Sequence, residues 1–426
     1  MMLVNNSRIF QNGERSRGRP IMPRTHEPLS CPAVFTRPRI LRVLGTASTV
    51  LEPILRQAKA DLGFTVEGKV LDGNIAHQVG VVAPESFDVY DQWFHNLEFV
   101  WTAHSIRPIE LSRIKRWSDV GELALTGKAD AALPPVPGGG PNRLLYVQDD
   151  GRLSETPADR ISMLPLSHCA DSFGYRRELL PDGADMGAES WSWLLDPAWK
   201  RATLQSNASI GAIDAILAVQ AAGLVQFRDP GNLSLAEIDS LMSVLISLRR
   251  RGHFPHFWET QSQSAELFAK GRARIGSIWS SALVLPALRG VGIRTAVPRE
   301  GYRGWFGGMS ISRHTERYAL DMAYEYMNWW LDGWPGAVVA RHGYYFSAPE
   351  LVRKHLTTAE WDYWYAGLPA AEDLAGPFGD SVIERGHVRE GGSYRERISR
   401  IAIWNAVMDE HNYLVRRWHD FLNFRH

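Results

Sequence analysis

The stretch 40–72, ILRVLGTASTVLEPILRQAKADLGFTVEGKVLD, decides the fold class of this chain. Its first six residues, Ile40 to Gly45, are typical of a buried strand. Leu51 to Leu62 carries apolar residues at helical spacing and is followed by Gly63, which predicts a helix with a glycine C-cap. Phe64 to Leu71 predicts a second strand. A strand, a helix and a strand in succession indicate a parallel sheet, and therefore an α/β fold.

The same alternation continues along the chain. Ser86 to Tyr90 predicts a third strand, with Asp91 and Trp93 just beyond its end. The later predicted strands are 160–166, 173–176, 201–204, 274–279, 293–297 and 305–311, and the later helices are 210–222, 234–251, 264–270 and 314–331. The rest of the chain reads as mostly helical, and apolar residues recur every three or four positions from Ile401 to Leu422, which predicts a helix with one apolar face.

Length and charge limit the possible functions. The chain has 426 residues, which exceeds the usual size of one domain and favours two lobes. It has 47 Lys and Arg against 47 Asp and Glu, so no overall charge attracts nucleic acid or an anionic membrane. We therefore expect a small-molecule partner. Two cysteines, Cys31 and Cys169, cannot build a disulfide framework.

Residues 1–38 are rich in Arg and Pro and contain no apolar run. This composition predicts a disordered basic extension or a mis-assigned start codon. A secretory signal peptide needs an apolar stretch of about 7 to 15 residues, and none is visible in this segment.

Several short segments occur in an order that identifies a family. They are FDVY at 87–90, DSFGY at 171–175, SWSWLLDP at 190–197 leading to RATL at 201–204, IWSS at 278–281, PREG at 298–301 before Trp305, and AYEYMNW at 323–329. From about Arg39 to the C-terminus, these segments resemble the extracellular solute-binding proteins of ABC importers, of the spermidine/putrescine-binding type.

The resemblance implies a two-lobed periplasmic-binding-protein fold, hinge-linked, with a ligand between the lobes. Lobe 1 would comprise 39–168 plus 304–345, lobe 2 would comprise 172–298, and 346–426 would form C-terminal helices packed on the lobes. It also implies a periplasmic monomer without cofactor or catalysis, which delivers its ligand to an ABC permease complex in the membrane. Such lobes close by hinge bending around a ligand that contacts both.

Three tryptophans are predicted to bind the ligand. Trp93, Trp279 and Trp305 each lie at or just beyond a predicted strand, where aromatic rings line the cleft in the family that this chain resembles. A cation over an indole face gains about 0.5 to 2 kcal/mol, which suits an amine. Packing in the core is the alternative role for each ring.

The acidic residues of the polyamine binders are replaced in this chain. Asn207 and Ile210 stand where the resembled family has an acidic pair, and Gly307 stands where it has a further acid. An ammonium group that is buried without a partner costs several kcal/mol, so a diamine would be held poorly. The predicted ligand is a small amine-containing or zwitterionic molecule, such as an amino acid, an omega-amino acid or a polyamine-like molecule.

Neutral donors and one acid complete the predicted set of ligand contacts. Ser206, Asn207 and Ser209 lie at a predicted helix N-terminus, which favours a carboxylate, although Ser206 or Asn207 could equally act as the helix cap. An arginine, Arg303 or Arg341, could bind the same carboxylate. The remaining predicted contacts are Asp91 for one ammonium group, Thr46 and Tyr345.

Two other functions stay open at this stage. Cys169 lies beside His168, and thiaminase-type transferases use a cysteine nucleophile on this scaffold; neighbouring residues of an extended chain point to opposite faces, however, which disfavours activation of the thiol. A cytoplasmic ligand sensor would explain the missing signal peptide. His253 and His256 flank a prolyl turn that predicts a surface loop, and we predict no metal site.

Overall fold

The computed structural model describes residues 39–180 and 188–424, so the predicted extension 1–38 lies outside the described residues. The first part of the described chain contains β1 (Ile40–Gly45), α1 (Glu52–Leu62), β2 (Thr65–Val70), α2 (Gly73–Val82), β3 (Val89–Trp93), α3 (Leu97–Thr102), β4 (Ile106–Arg107), β5 (Ile109–Glu110), α4 (Glu122–Thr126), β6 (Tyr146–Val147), β7 (Leu153–Ser154) and β8 (Arg160–Ile161). β1 pairs in parallel with both β2 and β3. The predicted parallel sheet is confirmed.

Local chemistry explains why α1 forms between two strands. Pro53 lies in its first turn, where its missing N–H is not needed, and Gly63 ends it with a φ of 69°. Ile54 and Ala58, four residues apart, are fully buried on the face that packs against the sheet. The helix thus begins, ends and docks as the sequence predicts.

The second part opens with a long strand. Its elements are β9 (Leu164–Arg176), β10 (Ala202–Gln205), α5 (Ala208–Ala221), α6 (Leu235–Arg250), β11 (His256–Trp258), α7 (Gln261–Ala269), β12 (Ile275–Ile278) and β13 (Ile293–Thr295). β9 has 13 residues, whereas the sequence predicted two shorter extended segments, 160–166 and 173–176. Nearly all of β9 is buried, so it lacks the alternation of polar and apolar residues that marks a half-exposed strand.

The third part returns to the first sheet. Its elements are β14 (Tyr302–Ser312), α8 (Arg317–Trp330), α9 (Trp334–Arg341), β15 (Tyr345–Phe346), α10 (Pro349–Arg353), α11 (Thr358–Trp361), β16 (Leu374–Ala375), β17 (Ser381–Ile383), α12 (Tyr394–Ser399), β18 (Ile401–Trp404) and α13 (His411–Leu422).

Two long antiparallel strands join the halves of the molecule. The main sheet has the order β11-β10-β12-β9-β14-β3-β1-β2, with β9 and β14 side by side at its centre. In their pairing, Arg303 lies opposite Asp171 and Trp305 opposite Cys169. Buried apolar residues on either side form separate clusters, one around Leu41, Val89 and Met309 and one around Ile213, Leu241 and Phe421. This is a two-lobed α/β fold, as predicted.

The C-terminal part corrects one prediction. Ile401 to Leu422 is not a single helix, because Ile401–Trp404 pairs in parallel with β14 and only His411–Leu422 is helical. Pairing with a neighbouring strand overrides the local helical spacing, since a short apolar run satisfies either period. Residues 346–426 are therefore mixed, with strands between the helices.

The turn at His253 corrects a second prediction. His253 is buried and its Nε2 lies 2.7 Å from the carbonyl oxygen of Leu194, and Phe254 is fully buried. Only His256, at the start of β11, is exposed. His253 and Phe254 are thus part of the core, because burial of the apolar Phe254 ring also buries the residue before it.

Candidate functional site

Three tryptophans predicted from sequence meet around one narrow cavity. Trp93, Trp279 and Trp305 line it, and the other lining residues are Ser48, Ile210, Tyr344 and Asn405. The cavity measures about 10 Å³, which is room for about one water molecule. A ligand of amino-acid size therefore enters only when the surrounding elements move apart.

The sheet brings these rings together from distant parts of the chain. Trp93 ends β3, Trp279 follows β12 from the other half of the sheet, and Trp305 lies in the central strand β14. Trp93 and Trp279 meet edge to face, with ring centroids 6.3 Å apart. Gly73 makes room for Trp93, because a Cβ there would lie 2.3 Å from the indole ring. The cavity is thus lined by both halves of the molecule.

A buried carboxylate fixes the orientation of Trp305. Asp171 Oδ2 accepts a hydrogen bond of 2.8 Å from Trp305 Nε1, and Oδ1 accepts one of 2.9 Å from Ser280 Oγ. The Trp305 ring then meets Tyr344 edge to face at 5.0 Å. Asp171 is 1% exposed, and its Oδ2 also lies 3.8 Å from Nη2 of Arg303, so this carboxylate links the aromatic wall to a buried ion pair.

Arg303 is placed beside the cavity but is already engaged. It is fully buried, its Nε donates to Asp214 Oδ1 at 2.7 Å, and its Nη1 donates to Asn405 Oδ1 at 3.0 Å. Burial alone would lower the pKa of Arg303, but the carboxylates of Asp214 and Asp171 raise it. Arg303 thus reaches the cavity through Asn405. Arg341 pairs with Glu360 and lies outside the cavity lining.

The residues that line the cavity do not include Asp91 or Thr46. Asp91 is buried, and its Oδ1 accepts a hydrogen bond of 2.8 Å from Thr49 Oγ1. Thr46 Oγ1 accepts one of 3.3 Å from the backbone N–H of Ser48, which does line the cavity. Both residues therefore support the loop that carries Ser48, and their contact with a ligand stays a prediction.

The predicted polar loop at 206–209 begins a helix. Asn207 is the N-cap of α5, and its Oδ1 accepts a hydrogen bond of 2.8 Å from the N–H of Ser209. Its Nδ2 donates to Asn74 Oδ1 in the other half of the molecule. Ser209 is buried, and Ser206 faces a separate surface depression. From this loop only Ile210 reaches the aromatic cavity.

Tyr344, not Tyr345, lines the cavity. Tyr345 packs instead against His168 and Tyr394, at centroid distances of 5.9 and 4.7 Å. Tyr345 is the first residue of β15 and Tyr344 immediately precedes it, so the choice between the two tyrosines depends on how β15 pairs with β9. Sequence reasoning also missed Ser48 and Asn405 as lining residues. It placed Asn207 and Ile210 at the positions of the acidic pair in the resembled family, but it did not predict that Ile210 is the one that faces the cavity.

Cys169 and His168 point away from each other. Cys169 Sγ lies 3.2 Å from Ser280 Oγ, while His168 Nε2 lies 3.0 Å from Tyr394 Oη. Burial raises the pKa of the Cys169 thiol to about 12 and lowers that of His168 to about 3. A thiol in this state is a poor nucleophile, because only the thiolate reacts.

Comparison with known proteins agrees with this architecture. Residues 128–333 match the family described as bacterial extracellular solute-binding proteins. Comparison with curated proteins finds no match. No helix among residues 39–180 and 188–424 combines the length and the apolar composition needed to cross a bilayer.

Solved structures with the same fold cover nearly the whole chain. A putative spermidine/putrescine ABC transporter protein from Listeria monocytogenes is 12% identical, with a TM-score of 0.62 over 91% of this chain and 100% of its own. A structure described as the Atu4243-GABA receptor is 14% identical, with a TM-score of 0.60 over 91% of this chain and 98% of its own. An agropinic acid complex of a periplasmic binding protein from A. tumefaciens R10 is 14% identical, with a TM-score of 0.56 over 90% and 98%.

At these identities the structural matches establish the fold, and the family match adds the sequence signature. Residues 128–333 carry the signature of the bacterial extracellular solute-binding proteins, and the chain has the two-lobed fold of periplasmic binding proteins.

Proposed function

We propose that this chain is the solute-binding component of an ABC importer, a periplasmic monomer that captures a small amine-containing or zwitterionic ligand and delivers it to a membrane permease. The observation that carries the proposal is the meeting of Trp93, Trp279 and Trp305 at one cavity between the two halves of the molecule. The family match and the ligands named for the structural relatives, which include GABA and agropinic acid, support it.

The chemistry of the cavity favours one ammonium group rather than two. Indole faces attract a cation, and behind Trp305 the carboxylate of Asp171 shares Arg303 with that of Asp214, so two acids face one guanidinium group. Beyond these acids, the wall offers neutral groups such as Asn405 and Ser48. A diamine would leave its second charge without a carboxylate partner, which costs several kcal/mol.

We propose that ligand entry requires the lobes to separate about β9 and β14. The lobes of this proposal are 39–168 plus 304–345 and 172–298, with 346–426 packed on both. Asn74 with Asn207, and Gln261 with His342, form polar contacts between residues of different proposed lobes. These contacts would break on opening, and a bound ligand would favour the closed state by its contacts with both sides.

The burial of the Cys169 thiol favours a receptor function without catalysis. A cysteine-dependent transferase needs a reachable thiolate, whereas Cys169 is fully buried with a pKa raised to about 12 by burial. The raised pKa and the separation from His168 both weigh against the transferase alternative.

The test is a ligand screen on the full chain by calorimetry, with GABA, common amino acids and spermidine. We expect a zwitterion to bind at a ratio of one to one, and Trp305→Ala and Trp279→Ala each to weaken it about tenfold or more, since each removes a ring from the cavity wall. Trp101→Ala is the matched control, because Trp101 bonds the carbonyl of Gly151 outside the cavity. Tighter binding of spermidine than of any zwitterion would overturn the ligand class.

A further inference from the structure

A second cavity of about 540 Å³ lies between the segment 283–295 and the C-terminal residues 381–397. Its volume is typical of small-molecule sites, which measure about 300 to 1,000 Å³. It shares no lining residue with the aromatic cavity. Apolar side chains form much of its wall, among them Leu285, Val291, Ile293 and Ile383.

Two buried arginines lie in the wall of this cavity, and no acidic side chain in the described part of the chain pairs with them. Arg389 is 9% exposed and Arg397 is 2% exposed. Among residues 39–180 and 188–424, neither forms an ion pair with a carboxylate. Their hydrogen-bond partners are backbone carbonyls: Arg389 Nη2 donates to Gly343 at 2.8 Å, and Arg397 Nη2 donates to Ala170 at 2.8 Å. Buried charges are normally paired, so this arrangement calls for a counter-ion.

Unused donors accompany the two charges. Among the residues that the structure describes, none accepts a hydrogen bond from the buried Arg397 Nε or from Nε1 of Trp364, another wall residue. Arg389 lies over the rings of Tyr345 and Trp364, at 4.7 and 5.2 Å from their centroids. The ring faces offset part of its charge, but they leave its donors and those of Arg397 without an anion.

The acids of the wall do not supply this counter-ion. Glu390 pairs with Arg294, and Glu384 is exposed. The other basic residues of the wall are Arg289, which pairs with Asp380, and the exposed Arg385. The positive charge that remains without a partner is therefore that of the two buried guanidinium groups.

We propose that this cavity is a binding site for an organic carboxylate with an apolar body. The carboxylate would lie between Arg389 and Arg397, where guanidinium groups can bind it through charge-assisted hydrogen bonds. The body would rest on the apolar wall around Leu285 and Ile293. The site goes beyond the proposed transport ligand, because it needs no ammonium group and does not include the tryptophan rings.

The experiment measures binding of three isosteric probes to the full chain by calorimetry: 3-phenylpropionate, 3-phenylpropylamine and 3-phenylpropanol. We expect the carboxylate to bind at one to one and the amine not to bind. Arg389→Gln and Arg397→Gln are each expected to lower its affinity about tenfold or more, because each removes a charged donor. Arg385→Gln, a change in the exposed part of the same wall, should leave it within about twofold.

A second pair of variants keeps the test valid if the buried arginines are needed for folding. Val291 is half-buried in the wall, so Val291→Glu places an acid in the cavity and should abolish binding, while Val291→Gln should retain it. Trp305→Ala separates this site from the aromatic cavity and should leave 3-phenylpropionate binding unchanged. The proposal is overturned by no carboxylate binding, by equal binding of the amine, by tolerance of Val291→Glu, or by loss of binding in Trp305→Ala.

Discussion

At the scale of single residues, Asp91 is a carboxylate enclosed by the core. It is 3% exposed, and burial raises its pKa to about 7, opposed in part by the hydrogen bond from Thr49. The folded state then holds the proton more tightly than the unfolded chain does. The stability gained from the protonated form is complete below the unfolded pKa of about 4 and is lost as the pH rises through about 7.

Asp91→Asn should therefore stabilise the protein at high pH. We expect a gain of about 1 to 3 kcal/mol in the free energy of unfolding at pH 8 and little gain at pH 4, since the amide needs no ionisation. Urea unfolding at the two pH values measures the difference. Asp149→Asn provides the control, because Asp149 is exposed and its ion pair with Arg160 lies at the surface, so this change should alter stability by less than about 1 kcal/mol at either pH. If Asp91→Asn raised the free energy of unfolding equally at pH 4 and pH 8, the cost of ionising the buried Asp91 would not be the cause of the gain.

Side-chain direction limits what the sequence could predict about the site. The three tryptophans were found because each stands at or near a strand of a recognisable family order. Tyr345 was placed in the site and Tyr344 was not, because the two are neighbours in sequence and differ in that Tyr345 begins the strand β15 while Tyr344 precedes it. Which of the two faces the cavity is set by the pairing of β15 with β9, more than 170 residues away in the chain. No local pattern encodes such a register.

At the scale of elements, Asn207 at the N-terminus of α5 has two structural roles. Asn207 caps the helix through Ser209 and also contacts Asn74 across the cleft. We expect Asn207→Ala to lower the free energy of unfolding by about 1 kcal/mol, whereas Asn207→Ser should preserve most of it because serine also caps helices well.

Chemical denaturation of three variants separates the roles of Asn207. Asn74→Ala removes the contact across the cleft but leaves the cap of α5 intact. It should therefore change stability less than Asn207→Ala does. Equal losses in Asn74→Ala and Asn207→Ala would mean that the contact, not the cap, carries the stabilisation.

Elements with a local signature, such as α1, were predicted, whereas β18, which depends on a distant partner, was not. α1 has apolar residues at helical spacing, a proline in its first turn and a glycine after its last residue, and all three features lie within the short segment 51–63. β18 has only a short apolar run, which becomes a strand because Tyr302 to Gly304 offers it a partner. The helical expectation for Ile401 to Leu422 failed for this reason.

At the scale of the whole molecule, the aromatic cavity predicts a motion. It is too small for an amino acid, and both halves of the sheet contribute to its wall. We expect the unliganded protein in solution to sample a more open form, and a saturating zwitterionic ligand to reduce the radius of gyration measured by small-angle X-ray scattering. Trp305→Ala with the same ligand is the control. An unchanged radius on saturation would contradict closure about β9 and β14.

The two-lobed plan and the crossing points of the chain near 168–172 and 298–304 were predictable, while the pairing of the two crossing strands with each other was not. Alternating strands and helices gave the α/β class, and the order of short motifs gave the family. The pairing of β9 with β14 across more than 100 residues of intervening chain follows from neither, because buried central strands look alike in sequence. This pairing is what brings Asp171 under Trp305.

The position of α13 has a consequence for the order in which the protein matures. Leu414, Trp418 and Phe421 of this last helix complete the apolar cluster of the second half, and Trp418 Nε1 bonds the carbonyl of Ser206 at 2.8 Å. We therefore expect this apolar cluster to be completed only after residues 411–422 have left the ribosome. A premature stop codon near residue 405 would remove these three side chains and expose the rest of the apolar cluster to solvent. We expect chaperones and proteases to recognise that exposed surface.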